Sequence, residues 1–180
     1  MHQPTLLSER LLLRPFDAHD ADAVQSLAGE WAIADTTLNI PHPYPDGAAE
    51  EWIATHAEAF ARGKQAIFAI TLRDGFALIG AMGLGIEPVF QRAELGYWIS
   101  RAHWGNGYCT ETARRMLLYG FEDLGLHRIH AVHFSRNPAS GRVMQKIGMR
   151  KEGVQREHVI KWGRYEDLVL YAILAEDFSS

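Results

Sequence analysis

Residues 93 to 111 read "AELGYWISRAHWGNGYCTE". The first eight, 93 to 100, are a run of apolar and aromatic residues that predicts a strand. Residues 112 to 125, "TARRMLLYGFEDLG", carry Ala113, Met116, Leu117, Phe121 and Leu124 at helical spacing, with Gly125 placed to end the helix. Between strand and helix stand Gly105 and Gly107. A loop that feeds a helix N-terminus exposes backbone N–H groups with no helical partner, and the helix dipole adds partial positive charge there. Glycines let that backbone turn tightly and come close to a ligand. A phosphate or pyrophosphate suits such a loop, and Thr110 could add a hydroxyl donor. The loop alone also fits a plain strand-to-helix turn: Thr110 stands where a dinucleotide fingerprint has its third glycine, and there is no Walker lysine.

Outward from this loop the pattern alternates. Residues 9 to 14, "ERLLLR", predict a strand closed by Pro15. A helix follows with Asp17 as its cap, and a second begins after Asp46, which is placed to cap it. Trp52, Ile53, His56 and Phe60 share one face of that second helix. Residues 38 to 47, "LNIPHPYPDG", hold three prolines and exclude regular structure. Strands are predicted over 65–72 and 76–86, joined at Asp74-Gly75, a hairpin signal, and over 128–134. A short helix starts at Pro138 and closes at Gly148, and two last strands meet at Trp162-Gly163. The order β-α-α-β-β-β-α-β-α-β-β predicts an α/β domain with a mixed, mostly antiparallel sheet, one domain over 1–180.

Composition narrows the function classes. With 47% apolar and 22% charged residues the chain reads as an ordinary globular protein. A formal net charge of −4 without any Lys/Arg run argues against nucleic acid or an anionic membrane as the main partner. No stretch predicts a signal peptide or a membrane span. Cys109 is the one cysteine, so an intramolecular disulfide is impossible and a cytoplasmic setting fits. His130 and His133 lie three apart on a predicted strand and face opposite sides, which spoils paired ligation; no metal site is expected.

A second motif, "SRNPASGRVMQKIGMR" at 135–150, also follows a strand and opens a helix. Asn137 can bond a backbone or ligand amide where the strand ends, and Ser140 sets a hydroxyl in the first turn, where it could equally serve the helix. Two such loops at neighbouring strand ends suit a ligand site.

On these residues the chain resembles the GNAT-fold N-acetyltransferases, and most of all their RimJ/RimL-like branch, which acetylates N-terminal amines of ribosomal proteins. The opening "SERLLLRPF" and the closing "REHVIKWGRYEDLVLYAIL" match the branch as well, so the resemblance spans nearly the whole chain. It departs at Ala102, three positions before the first loop glycine, where the wider family often has Gln or Arg.

The resemblance implies acetyl-CoA as cosubstrate, held in a gap between two central strands. Trp98, Ile99 and Ser100 would pair with the pantetheine. The loop Trp104, Gly105, Asn106, Gly107, Tyr108, Cys109 and Thr110 would hold the pyrophosphate. Asn137 would contact the pantetheine and Ser140 lie near the sulfur; Met144 fits either the adenine side or the core. A backbone N–H in a bulged strand near Tyr97 or Trp98 would stabilise the oxyanion. Family tyrosines that protonate the thiolate lie in the helix of Ser140, which has none here, so Ser140 takes that role by default. Cys109 reads as a bystander, although a helix N-terminus can lower a thiol's pKa.

For the general base the resemblance implies Glu157, which opens the tail strand near where the branch has an active-site glutamate, ahead of Glu94, which by alternation shares a face with Trp98; either also fits a surface carboxylate. The acceptor is a primary amine. An α-amine titrates near ~7.7–8.0 and a lysine near ~10.4, about 3.4 kcal/mol more deprotonation work at neutral pH, so an α-amine asks less of the base. By the same resemblance the first helices and the proline-rich loop would wall the acceptor side, with Tyr44 and His42 lining it and Glu30 and Asp35 attracting an ammonium group; the same loop fits one that only packs over the core, its acids in water. Small amines such as polyamines, amino acids or antibiotics, and a non-catalytic acyl-CoA-binding module, are the alternatives. A Rossmann nucleotide module is disfavoured by the element order. Family members are often dimers, though no residue of this chain fixes the oligomeric state.

Overall fold

A computed structural model describes residues 2–178. Eight strands form one sheet in the order β1-β2-β3-β4-β5-β6-β8-β7. They are β1 (Leu6–Leu7), β2 (Leu11–Arg14), β3 (Gln65–Leu72), β4 (Leu78–Glu87), β5 (Arg92–Ile99), β6 (Arg128–Phe134), β7 (Arg150–Lys161) and β8 (Arg164–Leu174). Every neighbouring pair is antiparallel except β5 and β6. A parallel pair needs a crossover, and α5 (Tyr108–Leu118) supplies it. The mixed, mostly antiparallel α/β architecture is the one the sequence predicts.

Alternation along the strands sorts side chains to two faces. Ala66, Phe68 and Ile70 of β3, Met82 and Leu84 of β4, and Ala93, Leu95 and Ile99 of β5 point to one core. Against them pack Ala113, Met116 and Leu117 of α5 and Met144 of α6 (Pro138–Lys146). Leu117 is fully buried. Its burial is worth roughly 1.5–3 kcal/mol, and Leu117→Ala would cost about 2–5 kcal/mol because a cavity adds to the lost transfer energy. On the opposite face Ala81 and Trp98 are covered by Ala21, Val24 and Ala28 of α1 (Ala21–Ala28), Ile33 of α2 (Trp31–Ala34), and Ala49 and Ile53 of α3 (Ala48–Ala54). Met144 belongs to the core.

Several local readings are corrected. The predicted second helix is two pieces, α3 and α4 (His56–Ala61), interrupted at Thr55, whose hydroxyl donates to Trp52 O at 2.7 Å. Asp46 does not cap it. Gly47, at φ +80, occupies the N-cap position, and Asp46 instead accepts a bond from Gln25 Nε2 at 2.9 Å. Asp17 does cap the turn ahead of α1, accepting from His19 N at 2.8 Å. The N-terminal strand is preceded by β1, which pairs back onto it through Leu6↔Leu13.

Candidate active site

The parallel pairing of β5 and β6 runs through three rungs, Arg92↔Arg128, Ala93↔Ile129 and Glu94↔His130. Beyond Glu94 and His130 both strands continue, to Ile99 and Phe134, without pairing. The sheet therefore opens into a wedge with Glu94 and His130 at its vertex. On its other side β5 stays in register with β4 up to Gly80↔Ile99. The expected bulge near Tyr97 and Trp98 is absent: the register shift lies between Ile70 and Thr71 of β3, and what frees the β5 backbone is the departure of β6. An unpaired strand edge from Leu95 onward is a template for an extended chain carrying amide groups.

Trp98 and Ile99 lie on that open stretch and Ser100 ends it. Ser100 is fully buried; its N–H donates to Ile79 O at 2.8 Å and its hydroxyl pairs with His103 Nδ1 at 2.7 Å. Trp104 donates its indole N–H to Ile99 O at 2.6 Å, so the loop is tied to the strand that feeds it.

The loop then turns on Gly105 at φ +79 and Gly107 at φ +80, both left-handed, which a residue with a Cβ resists. Gly107 is the N-cap of α5 and no side chain caps it. The first-turn N–H groups of Tyr108, Cys109 and Thr110 are thus left to an outside acceptor. Asn106 does not face away to cap the helix: its amide donates to His103 O and Trp104 O, both at 3.2 Å. Arg10 braces the loop by donating to Asn106 O at 3.0 Å and to Glu111 at 2.7 Å, with its guanidinium over the Tyr108 ring. Beside the loop, along the outer face of α5, runs a cleft of about 1020 Å³ lined by Thr110, Arg114, Arg115 and Lys146 among others. The pKa of the Cys109 thiol is not lowered; burial pushes it up to about 12.

Across the wedge, Asn137 is the cap of α6, its Oδ1 accepting from Ser140 N at 3.4 Å. Ser140 is therefore released from capping. Its hydroxyl meets Tyr97 Oη at 2.8 Å. Tyr97 projects from β5 on the face that packs α5 and α6, the face opposite Trp98. The sequence reading looks for a tyrosine only inside the helix of Ser140. Alternation along β5, which places Tyr97 on the α6 side, is the signal that finds it.

The two candidate bases are not brought together. Glu94 is exposed at the wedge vertex, 3.9 Å from His130 Nε2 and on the same face as Trp98. Burial holds His130 below its ordinary pKa, against the pull of Glu94, and its Nδ1 is buried without a partner. Glu157 lies on β7, separated from the wedge by β8 and β6. It occupies a bulge, where the register slips between Gln155 and Val159, at φ +48. Its N–H donates to Asp167 Oδ1 at 2.8 Å.

The acceptor-side loop is firmly held. Asp35, expected to attract an ammonium, is spent on Arg136 at 2.7 Å, and Arg136 also pairs with the buried Glu166 at 2.8 Å. Buried Lys161 donates to Leu38 O at 3.0 Å and Ile40 O at 2.8 Å. Trp31 of α2 stacks on Trp162 with ring centroids 4.6 Å apart. His42 Nδ1 bonds Gly29 O at 2.9 Å, and Tyr44 packs against the α1–α3 cluster. Glu30 is the N-cap of α2 without a side-chain bond.

Comparison with known proteins agrees with this geometry. The family described as Acetyltransferase (GNAT) domain matches residues 10–150. A Bacillus subtilis (strain 168) protein described as an uncharacterized N-acetyltransferase, YoaA, is 33% identical over 172 residues, 95% of this chain and 97% of that relative. The [ribosomal protein uS5]-alanine N-acetyltransferase of Escherichia coli (strain K12) is 26% identical over 192 residues, 97% of this chain and 92% of that relative. Mycobacterium smegmatis RimJ, solved in complex with CoA-disulfide, superposes with a TM-score of 0.87 at 25% identity, covering 97% of this chain and 88% of that one. Among the described residues no helix is long and apolar enough to cross a membrane.

Proposed function

The chain belongs to the GNAT acetyltransferase family, and we propose that, as one domain over 1–180, it transfers the acetyl group of acetyl-CoA directly to the α-amine of a protein N-terminus. The carrying observation is the wedge, with one wall an unpaired edge of β5 and its mouth the uncapped start of α5. That pair of features fits a ligand with amide groups along one part and phosphates at the other.

Acetyl-CoA supplies the thioester; the chain's own residues do the rest. On the open edge of β5 the alternate residues Tyr97 and Ile99 turn backbone groups toward the pantetheine, with Trp98 between them, and Asn137 faces it from the other wall; Ser100 ends the edge, its own N–H and C=O already bonded to Ile79 O and His103 N. The N–H groups from Gly105 to Thr110 hold the pyrophosphate, with Trp104 anchoring the loop, and Arg114 and Lys146 extend positive charge along the cleft beside it. Free N–H groups of β5 beyond Glu94 stand ready for the charge that gathers on the carbonyl oxygen. An N–C bond forms, the C–S bond breaks, the amine gives up a proton and the sulfur gains one. Ser140 gives a hydrogen bond to the departing sulfur, which takes its proton from water. Glu157 takes the amine proton, with Glu94 the competing carboxylate.

Both carboxylates are exposed. An exposed carboxylate with a water relay suffices for an amine near ~7.7–8.0, whereas a lysine near ~10.4 demands more. The relative that acetylates the alanine of uS5, aligned over 97% of this chain, supports the same acceptor class. The lone, half-buried Cys109 suits a reducing compartment, and we place the enzyme in the cytoplasm.

The test has two stages. Acetyl-CoA, and not NADH, should raise the melting temperature by several degrees, as a ligand at 100 times its dissociation constant adds ~2.7 kcal/mol. The protein should then acetylate peptides with a free N-terminus faster than the same peptides N-terminally blocked but carrying lysine, and faster than spermidine. Preference for spermidine would replace the acceptor; no shift with acetyl-CoA would end the enzyme reading.

A further inference from the structure

Ser140 is a weak acid, and a hydroxyl placed beside a leaving sulfur helps only if its proton points there. We infer that Tyr97 is the positioning residue for that serine: its phenol, reaching from β5 across the wedge to α6, determines whether the Ser140 proton is offered to the gap or held away from it. This rests on the reading that Ser140 stands beside the sulfur.

The geometry carries the point. Tyr97 Oη lies 2.8 Å from Ser140 Oγ and also donates toward Ser140 O at 3.1 Å. A phenol has one proton, and a carbonyl can only accept. When Tyr97 donates to the carbonyl, its oxygen is left to accept from Ser140 Oγ–H, and the serine proton is spent inside the pair. When Tyr97 donates to Ser140 Oγ, the serine hydroxyl turns outward and is free to donate into the wedge. In that second arrangement the phenol proton also meets the partial negative charge that collects on Oγ as it donates, and such a bond is stronger than a neutral one. No proton need leave either oxygen.

Two further facts keep the pair available. Asn137 caps α6 through Ser140 N, so Oγ has no capping duty. Burial, together with the neighbouring Cys109, holds the Tyr97 phenol well above its ordinary pKa despite the bond to Ser140, so it stays a protonated donor throughout the working pH range. Tyr97 also lies three residues past Glu94, inside the stretch of β5 that has left β6.

A double-mutant cycle tests this, with kcat, the KM for acetyl-CoA and the melting temperature measured for Tyr97→Phe, Ser140→Ala and the pair, using a peptide acceptor. Phe keeps the ring and removes one oxygen. Tyr97→Phe should lower kcat about tenfold, with KM for acetyl-CoA within about twofold. The double variant should be no slower than Ser140→Ala alone, because Tyr97 acts only through the serine. If Tyr97→Phe costs as much without Ser140 as with it, or is silent where Ser140→Ala is slow, the inference is overturned. If both single variants are silent, it is the placement of Ser140 at the sulfur that fails, and the inference with it. Should Tyr97→Phe not fold, a ring-fluorinated tyrosine at 97 keeps the hydroxyl and donates more strongly; kcat should then hold or rise, and a fall would overturn the assignment.

Discussion

Glu111, in the first turn of α5, accepts from the backbone N–H of Arg10 at 2.8 Å and from its Nε at 2.7 Å. Ser8 Oγ donates to the same carboxylate at 2.8 Å. Burial alone would raise the Glu111 carboxyl, but these bonds outweigh it and hold it below the usual carboxylate range. The consequence is mechanical: the N-terminal hairpin clamps the start of α5, and Arg10 passes the clamp on to Asn106 O. Glu111→Ala should therefore loosen the glycine loop and weaken acetyl-CoA binding about tenfold by calorimetry, the lower end of the scale of one lost charged hydrogen bond. Unchanged affinity would mean the loop is rigid without its brace.

Gly107 presents a sharper test of the same loop. At φ +80 a side chain costs roughly 1–2 kcal/mol, and a Cβ there would lie 3.6 Å from Arg10 Nη2. Gly107→Asp should lower the melting temperature by only a few degrees, since about 1 kcal/mol moves a domain of this size by ~2–4 °C. It should also remove the rise produced by acetyl-CoA, because a carboxylate would stand where phosphate oxygens belong. A retained rise would detach the loop from the pyrophosphate.

The residues that the sequence reveals are those with local signals. Asp74-Gly75 and Trp162-Gly163 do turn hairpins, with Gly75 and Gly163 left-handed, and Pro138 and Gly148 do bracket α6. Alternation puts His130 and His133 on opposite faces, as expected. What stays hidden depends on partners far along the chain. Arg10 and Asn106 are 96 residues apart, and Asp35 and Arg136 are 101 apart, so neither the loop brace nor the loss of Asp35 as an ammonium ligand has a local signature. Asp46 carries a good capping side chain, yet Gly47 takes the cap and a contact to Gln25 claims the carboxylate. Tyr97 is visible as a strand residue, but its meeting with Ser140 depends on how widely β5 and β6 diverge, which no pattern in either strand encodes.

His56 predicts an acid weakness unrelated to catalysis. It is buried against Phe16 and Trp52, with ring centroids 5.5 and 4.4 Å away, and neither ring nitrogen has a hydrogen-bond partner. Burial pushes its pKa down to about 4 from an ordinary value of 6.5. Between those values the unfolded chain binds a proton that the folded chain refuses, so stability falls as pH drops from about 6.5 towards 4. His56→Leu should flatten that part of the melting-temperature profile, gaining on the parent at pH 5 relative to pH 7. Parallel profiles would show that the histidine is not the weak point.

Cys109 should be chemically quiet. A thiol held at about 12 is almost wholly protonated at pH 8, and only the thiolate is a nucleophile. Iodoacetamide should leave the native protein unmodified for hours by mass spectrometry, and label it once denaturant unfolds it. Rapid labelling of the native state would show that the first turn of α5 opens far more readily than its packing indicates.

Glu157 links strain to chemistry in a way that one substitution separates. A glutamate at φ +48 sits where a side chain is disfavoured by roughly 1–2 kcal/mol, and the bond from its N–H to Asp167 holds it there. Glycine accepts that backbone without strain. Glu157→Gly should therefore match or exceed the parent in melting temperature, by up to a few degrees. If the carboxylate takes the proton from the attacking amine, the same variant should lose about 10²-fold in kcat, with acetyl-CoA binding intact. Glu157→Gln, which keeps the strain and removes the base, should lose a similar factor without the gain in stability. A stabilised Glu157→Gly variant with full turnover would move the base to Glu94 at the wedge vertex, and Glu94→Gln would then have to show the loss.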